Sequence, residues 1–96
     1  MRIVVTYDVC TETREGQKRL RKAALTCLNF GQRVQKSVFE CTVTDAQYEE
    51  LRRQLVGLID QNEDSLRLYR LPEGERQHVE HFGKGASIDF DGPLVV

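Results

Sequence analysis

The sequence has no long hydrophobic run and few cysteines. Its first apolar stretch, Ile3 to Val5, is strand-sized, whereas a membrane-spanning helix needs roughly 20 apolar residues. No signal-peptide pattern opens the chain. The three cysteines are odd in number and form no C-x-x-C pair, which argues against a disulfide framework. We therefore expect a cytoplasmic protein with no membrane contact.

Charge is nearly balanced along the whole chain but unevenly placed. The 14 basic and 15 acidic residues give a net charge of −1, which by itself argues against a nucleic-acid partner. Residues 1–36, however, carry eight basic and three acidic residues, and residues 37–96 carry six and twelve. Such a split indicates a basic face and an acidic face, as expected when a polyanion binds on one side. Chance placement on a solvated surface is the alternative.

Periodicity gives the order of the elements. Strand-like segments rich in β-branched residues alternate with segments of helical period. The predicted order is a strand at 2–9, a helix at 14–30, two short strands within 33–43, a helix at 44–60 and a strand at 65–71. Thr13 is the predicted N-cap of the first helix, Thr44 opens a capping box at the second, and a bend is predicted near residues 36–37.

The two predicted helices have distinct faces. In the first, the apolar sector contains Leu20, Ala23, Ala24, Cys27 and Leu28, and Leu25 alone lies among the charges. In the second, the spacing predicts an ion pair between Glu49 and Arg53 and a close-packing role for Gly57.

The order βαββαβ predicts an α+β, ferredoxin-like fold, in which two helices cover one face of a four-stranded antiparallel sheet. Residues 1–96 form one domain, because so short a chain cannot bury two cores. Its core spans 2–71, and the extension at 72–96, with a possible short strand at 78–82, is expected to make dimer or partner contacts. Because no part of the core would cover the second sheet face, we expect a homodimer.

Asp8 is the most informative polar residue, because it ends an apolar strand directly after Tyr7. One interpretation is a carboxylate that caps the following turn. The other is a ligand of Mg²⁺, which prefers oxygen ligands and is often held by one or two carboxylates. A single Asp makes a poor site, so the second interpretation needs a two-fold axis that brings together the Asp8 residues of two protomers.

Basic residues cluster on and near the first helix. A solvated helix face is one interpretation, and phosphate binding is the other, since guanidinium groups match phosphate oxygens. Aromatic residues are too sparse among them to indicate base stacking. The candidate nucleic-acid-binding residues are Arg14, Lys18, Arg19, Arg21 and Arg33.

Three stretches together resemble the CRISPR-associated Cas2 family, the small subunit of the spacer-acquisition machinery. They are Val-Thr-Tyr-Asp-Val at 5–9, Gly-Gln-Arg-Val-Gln-Lys-Ser-Val-Phe-Glu at 31–40 and Asp-Ser-Leu-Arg-Leu-Tyr at 64–69. Their order and spacing cover roughly residues 3–71, and the combination is far more specific than any one stretch.

The resemblance implies a ferredoxin-like homodimer in which Asp8 binds Mg²⁺ at the dimer interface and is the catalytic residue of an endonuclease acting on RNA or double-stranded DNA. It further implies functional roles for Arg19, Arg21 and Arg33, and places Tyr7 and Phe39 near the site. The family also bridges two dimers of the Cas-one integrase (Cas1), so this integrase is an expected partner.

Two functions are therefore compatible with the sequence. The first is a metal-dependent phosphodiesterase, and the second is a non-catalytic, DNA-binding adaptor that spaces integrase subunits. A related ribonuclease toxin with the same fold is a third alternative. The absence of an evident general base favours a slow enzyme over a fast one.

Overall fold

The computed structural model describes residues 1–72 and residues 80, 82 and 83. Within them the chain forms four strands and two helices in the predicted order βαββαβ, and the ferredoxin-like α+β fold is confirmed. The elements are β1 (Arg2–Asp8), α1 (Arg14–Leu28), β2 (Gly31–Gln35), β3 (Val38–Thr42), α2 (Asp45–Leu58) and β4 (Ser65–Leu71).

The sheet is antiparallel throughout and has the order β2-β3-β1-β4. β1 is central and pairs with β4 along its whole length, from Arg2 opposite Leu71 to Asp8 opposite Ser65. β2 and β3 form a hairpin that turns at residues 36–37, where the bend was predicted, with a register shift between Arg33 and Gln35. The last residue of β1 therefore lies at the same end of the sheet as this turn and the start of β4.

One face of the sheet packs on the helices. Alternate residues of β1, together with Phe39 and Cys41 of β3, point to this side and join buried residues of both helices. Each large apolar side chain buried in this way contributes about 1.5–3 kcal/mol relative to exposure. The buried core consists of Ile3, Val5, Tyr7, Val9, Ala23, Cys27, Phe39, Cys41, Val43, Leu51 and Leu55.

Within residues 1–72, no helix covers the other face of the sheet. The residues of β1 that alternate with the core residues point to this open face, as do their partners on β3 and β4. They are a mixture of half-buried and exposed side chains: Val4, Thr6, Asp8, Val38, Glu40, Ser65, Arg67 and Tyr69. The predicted open face is thus present, and Asp8 lies at one end of it.

Both helix starts are as predicted. The Thr13 hydroxyl accepts a hydrogen bond from the amide of Gly16 at 3.0 Å. Thr44 and Gln47 form a complete capping box, with bonds of 2.9 and 3.1 Å. These side chains satisfy amide groups that the first helical turn leaves unpaired.

Both helices end two residues earlier than predicted. α1 ends at Leu28, and the apolar Phe30 that prolonged the periodic pattern follows the C-cap Asn29. α2 ends at Leu58, because Ile59 is its C-cap and has an extended backbone, with ψ of 158°. An apolar residue just beyond a helix extends the apparent periodicity without extending the helix.

Three predictions about the helix faces are wrong. Leu28 is 48% exposed instead of joining the core. Arg53 pairs with Glu50 and not with Glu49, through bonds of 3.1 and 2.5 Å, while Gln54 donates to the same carboxylate at 2.8 Å. Glu50 is the acceptor because its carboxylate lies within reach of both Arg53 at i+3 and Gln54 at i+4. Gly57 is exposed and has open space around it, so close packing does not explain it.

The predictions for residues 72–96 fall almost entirely outside the described residues. Of the possible strand at 78–82, only Glu80 and Phe82 are described, so its existence and its contacts stay predictions. Among the residues that the structure does describe, neither helix is long and apolar enough to cross a membrane.

The two helical glycines should respond oppositely to substitution. A Cβ at Gly57 meets nothing within 4 Å, so Gly57→Ala should raise the free energy of unfolding by about 1 kcal/mol, through helix propensity alone. A Cβ at Gly16 would overlap the carbonyl oxygen of Cys10, so Gly16→Ala should lower it by about 2 kcal/mol. Urea unfolding of both variants measures this. A destabilised Gly57→Ala protein would contradict the open space around that residue.

Candidate active site and nucleic-acid interface

Asp8 lies exposed at the end of β1, on the open face of the sheet. It borders a cavity of about 350 Å³ whose other lining residues come from β1 and from the facing part of β4. The lining consists of Thr6, Tyr7, Asp8, Ser65, Arg67 and Tyr69. The cavity lining therefore combines one carboxylate, one guanidinium and four side chains that carry a hydroxyl group.

Arg67 and Tyr69 were not predicted as site residues. Arg67 Nη1 donates a hydrogen bond to the Tyr69 hydroxyl at 3.1 Å, and both side chains are exposed on the open face. Arg67 lies opposite Thr6 in the sheet, two positions from the Asp8 pair. The alternation of side chains along β4 could have predicted their position, because it places residues 65, 67 and 69 on one face of the sheet.

One protomer alone gives an incomplete metal site. Among the described residues, no group of three or more His, Cys, Asp or Glu side chains is close enough to hold a metal ion. Asp8 provides one exposed carboxylate, with the Ser65 hydroxyl and the main chain beside it as further oxygen donors. This donor set consists of oxygen alone and fits a largely hydrated Mg²⁺, which is held by one or two carboxylates. The described part of the chain supplies no second carboxylate at this position.

Tyr7 and Phe39, predicted near the site, are both core residues, and Tyr7 also lines the cavity. Their rings are stacked, with centroids 6.1 Å apart, and both are buried. The Tyr7 hydroxyl donates to the Lys36 carbonyl at 3.4 Å, and burial raises the pKa of this phenol. Tyr7 thus joins the end of β1 to the turn of the β2–β3 hairpin.

Arg21 and Arg33 meet at a groove between α1 and β2. This groove has a volume of about 560 Å³, and Lys36, which was not predicted, adds a third cation to its rim. Arg33 also lies over the Phe39 ring, 5.2 Å from its centroid. The exposed side chains of Leu25 and Leu28 form part of its apolar wall. The structure therefore groups two of the five predicted basic residues around one concave surface.

Arg14 and Lys18 are exposed on α1 but do not line this groove. Arg19 differs from the other predicted basic residues. Its side chain is only 17% exposed, and its guanidinium forms an ion pair with Asp64. Its Nε donates at 2.8 Å and its Nη2 at 3.2 Å to the two carboxylate oxygens. Arg19 thus has an intramolecular, bidentate partner 45 residues away, whereas no carboxylate among the described residues pairs with Arg21 or Arg33.

The Asp64 carboxylate is completely buried and is satisfied by four donors. Besides Arg19, the main-chain amides of Cys10 and Asp60 donate to it, at 3.0 and 2.8 Å. Hydrogen bonding from Arg19, supported by these amides, lowers the pKa of Asp64 to about 2. This carboxylate therefore connects α1, the segment after β1 and the segment before β4.

The buried cysteines are unsuited to catalysis. All three cysteines are free thiols, and Cys27 and Cys41 are buried. Burial raises the pKa of Cys27 to about 12 and that of Cys41 to about 11. Because the thiolate is the nucleophile, these two residues act as small core side chains.

Comparison with known proteins agrees with this architecture. The family model described as CRISPR associated protein Cas2 matches residues 1–79. This chain belongs to the Cas2 family. A protein from Moorella thermoacetica named CRISPR-associated endoribonuclease Cas2 1 is 55% identical over 96 residues, which is 100% of both chains. One from Halalkalibacterium halodurans named CRISPR-associated endonuclease Cas2 is 50% identical over 95 residues, or 99% of each chain.

A solved structure of a Cas2 protein has the same fold. The crystal structure of Streptococcus pyogenes Cas2 at pH 6.5 superposes with a TM-score of 0.76 and 48% sequence identity. It covers 86% of this chain and 100% of the other. The resemblance found in the sequence is thus confirmed at the level of family and fold.

Acid should remove the contribution of Asp64 to stability. The folded-state pKa of about 2 lies below the usual value near 3.8, so the stabilisation is complete above about pH 4 and is lost as pH falls toward 2. Asp64→Asn should therefore melt several degrees below the wild type at pH 7, and this gap should close between pH 4 and pH 2. Thermal unfolding monitored by circular dichroism checks this. A gap that is constant down to pH 2 would contradict the lowered pKa.

Proposed function

We propose that this Cas2-family chain is a CRISPR-associated nuclease that hydrolyses phosphodiester bonds of RNA or double-stranded DNA with Mg²⁺, as a homodimer. The main support for this proposal is the position of Asp8, which is exposed beside a cavity at the end of the central strand. It lies on the sheet face that neither described helix covers. The full-length relatives named endoribonuclease and endonuclease support the reaction class.

Two features support the proposed homodimer, namely the open face of the sheet and the single carboxylate of the cavity. Apolar residues such as Val4 and Val38 lie on this face together with Tyr69, which is 45% exposed. A second copy packed on it would bury these residues, and a two-fold axis beside Asp8 would bring together two carboxylates. Two such carboxylates repel each other unless a cation lies between them.

The residues of the cavity have distinct roles in this mechanism. Asp8 would hold Mg²⁺, which supplies an activated water and neutralises charge on the phosphate. Arg67 presents a guanidinium in the same cavity, where it can bind a phosphate oxygen and stabilise developing negative charge. Its bond to Tyr69 fixes the orientation of that guanidinium.

The nucleic-acid interface in this proposal extends from the cavity to the groove between α1 and β2. Arg21 and Arg33 are exposed there, beside Lys36, and these groups would contact the phosphate backbone. Tyr7 lines both the cavity and the groove, so the two surfaces lie at the same end of the sheet. Arg14 and Lys18, exposed further along α1, would add contacts beyond the groove.

A second candidate function is a non-catalytic adaptor that holds DNA beside the Cas1 integrase. The observation that favours it is the composition of the cavity. Among the described lining residues, Asp8 is the only carboxylate and there is no histidine or lysine to act as a general base. An adaptor needs the dimer and the basic surface but no metal-activated water.

Asp8→Asn should reduce the rate of Mg²⁺-dependent cleavage at least 100-fold, because the amide lacks the charge that binds the metal. The fold and the dimer should persist, because the amide has the same shape as the carboxylate. The matched control is Glu49→Gln, which removes an exposed carboxylate from α2. The measurement is cleavage of labelled RNA and duplex DNA with Mg²⁺ or with a chelator.

Full cleavage by pure Asp8→Asn protein would contradict the nuclease proposal. Spacer integration with Cas1 separates the two candidate functions in the same variant. Normal integration by Asp8→Asn protein would favour the adaptor, whereas failed integration with intact dimer and DNA binding would show that the pathway needs the carboxylate.

Arg21→Ala and Arg33→Ala should each weaken nucleic-acid binding for all base sequences alike, because phosphate contacts carry no sequence information. Each should also reduce the slope of log affinity against log salt by about 0.9 for duplex DNA. The matched control is Arg52→Ala, which removes an exposed cation from α2. Fluorescence anisotropy at several salt concentrations measures both effects. An unchanged slope in the double variant would place the nucleic acid on another surface.

A further inference from the structure

The segment that follows Asp8 is fixed from two sides. On one side the amide of Cys10 donates to Asp64 Oδ1 at 3.0 Å. On the other side the carbonyl of Cys10 lies so close to Gly16 that no side chain fits between them. Val9, between Asp8 and Cys10, is buried in the core. Both peptide groups that flank Cys10 are therefore immobilised by groups outside β1.

The partner strand of Asp8 is fixed by the same carboxylate. Asp64 directly precedes Ser65, which lies opposite Asp8 in the sheet. The second oxygen of Asp64 accepts from the Asp60 amide at 2.8 Å, while the Asp64 amide donates back to the Asp60 carbonyl at 2.7 Å. These bonds determine where β4 begins. They therefore also determine which residue of β4 lies opposite Asp8.

Arg19 makes this arrangement possible. A buried carboxylate without a counter-charge is costly, and a bidentate guanidinium both neutralises it and fixes its plane. With that plane fixed, one oxygen faces Cys10 and the other faces Asp60. Neither Arg19 nor Asp64 lines the cavity at Asp8, so neither is placed to touch a metal ion or a phosphate there.

We propose that Asp64, held by Arg19, is a positioning residue that fixes the carboxylate of Asp8 for metal binding. This inference rests on the proposed function, in which Asp8 holds Mg²⁺. It gives Arg19 a different role from Arg21 and Arg33: substitution of Arg19 would lower activity by disordering the metal ligand, without removing a phosphate contact.

The experiment measures metal affinity and local order in the wild type and in Asp64→Asn. Mn²⁺, detected by electron paramagnetic resonance, is the probe, because it accepts the same oxygen ligands as Mg²⁺. Loss of a group that hydrogen-bonds to a metal ligand typically costs 10–100-fold in metal affinity. Asp64 acts on Asp8 through the main chain at Cys10, so we expect an effect at the lower end of this range. We expect the Mn²⁺ dissociation constant of Asp64→Asn to rise at least ten-fold, and the amide of Cys10 to exchange with solvent at least ten-fold faster.

Two further variants separate positioning from stability. Val43→Ala truncates a core side chain that follows β3, at the other end of the sheet from Asp8, and serves as a control of reduced stability. It should keep the Mn²⁺ affinity within two-fold. Arg19→Lys preserves the charge but not the bidentate geometry, and should give a smaller loss than Asp64→Asn. It also keeps the test decisive if Asp64→Asn does not fold.

The outcomes distinguish this inference from the proposed function. Mn²⁺ affinity that is equal in the wild type, Asp64→Asn and Arg19→Lys overturns the positioning role and leaves the nuclease proposal intact. An affinity loss confined to the Asp64 and Arg19 variants supports the role, even if wild-type protein cleaves no nucleic acid and the nuclease proposal fails. Equal losses in Val43→Ala would show that stability alone is responsible, and a wild type that binds no Mn²⁺ would overturn both proposals.

Discussion

The buried carboxylate of Asp64 is the contact that joins α1 to the end of the sheet at which Asp8 lies. Four donors from three separate segments converge on its two oxygens, and the guanidinium of Arg19 supplies the compensating charge. The hydrophobic core holds the helices against the sheet, but apolar packing is not directional. Hydrogen bonds to a planar acceptor fix distance and angle. This polar contact therefore holds the segments on either side of the Asp8–Ser65 pair in a defined geometry, whereas the core supplies the bulk of the stability.

Local sequence patterns were sufficient for most of the fold. β4 was predicted at its observed bounds, and both N-caps were read from Thr13 and Thr44, because strand alternation and capping depend on residues within a few positions of one another. The helix ends were less accurate. Whether Phe30 or Ile59 continues a helix depends on backbone angles that apolar periodicity does not encode.

The candidate site was predicted only in part. Asp8 was recognisable because an acid that ends an apolar strand is unusual, and the resemblance to the Cas2 family pointed to the same residue. Arg19 could not be separated from its basic neighbours, because its partner Asp64 is 45 residues away and no local pattern links the two. The alternation of β4 places Arg67 and Tyr69 on the same face as Asp8. It does not identify them as site residues, because most exposed strand residues only contact solvent.

The full-length pairing of β1 with β4 has a consequence for how this family can vary. Side chains alternate between the core and the open face, so Tyr7 is buried while its neighbour Asp8 is exposed. Losing or gaining one residue within β1 would exchange these two environments along the strand and place a carboxylate in the core. A substitution in β1 changes the environment of one side chain, whereas an insertion or deletion there would change the core packing and the position of Asp8 at the same time. A change in the length of β1 would therefore be more damaging than most single substitutions within it.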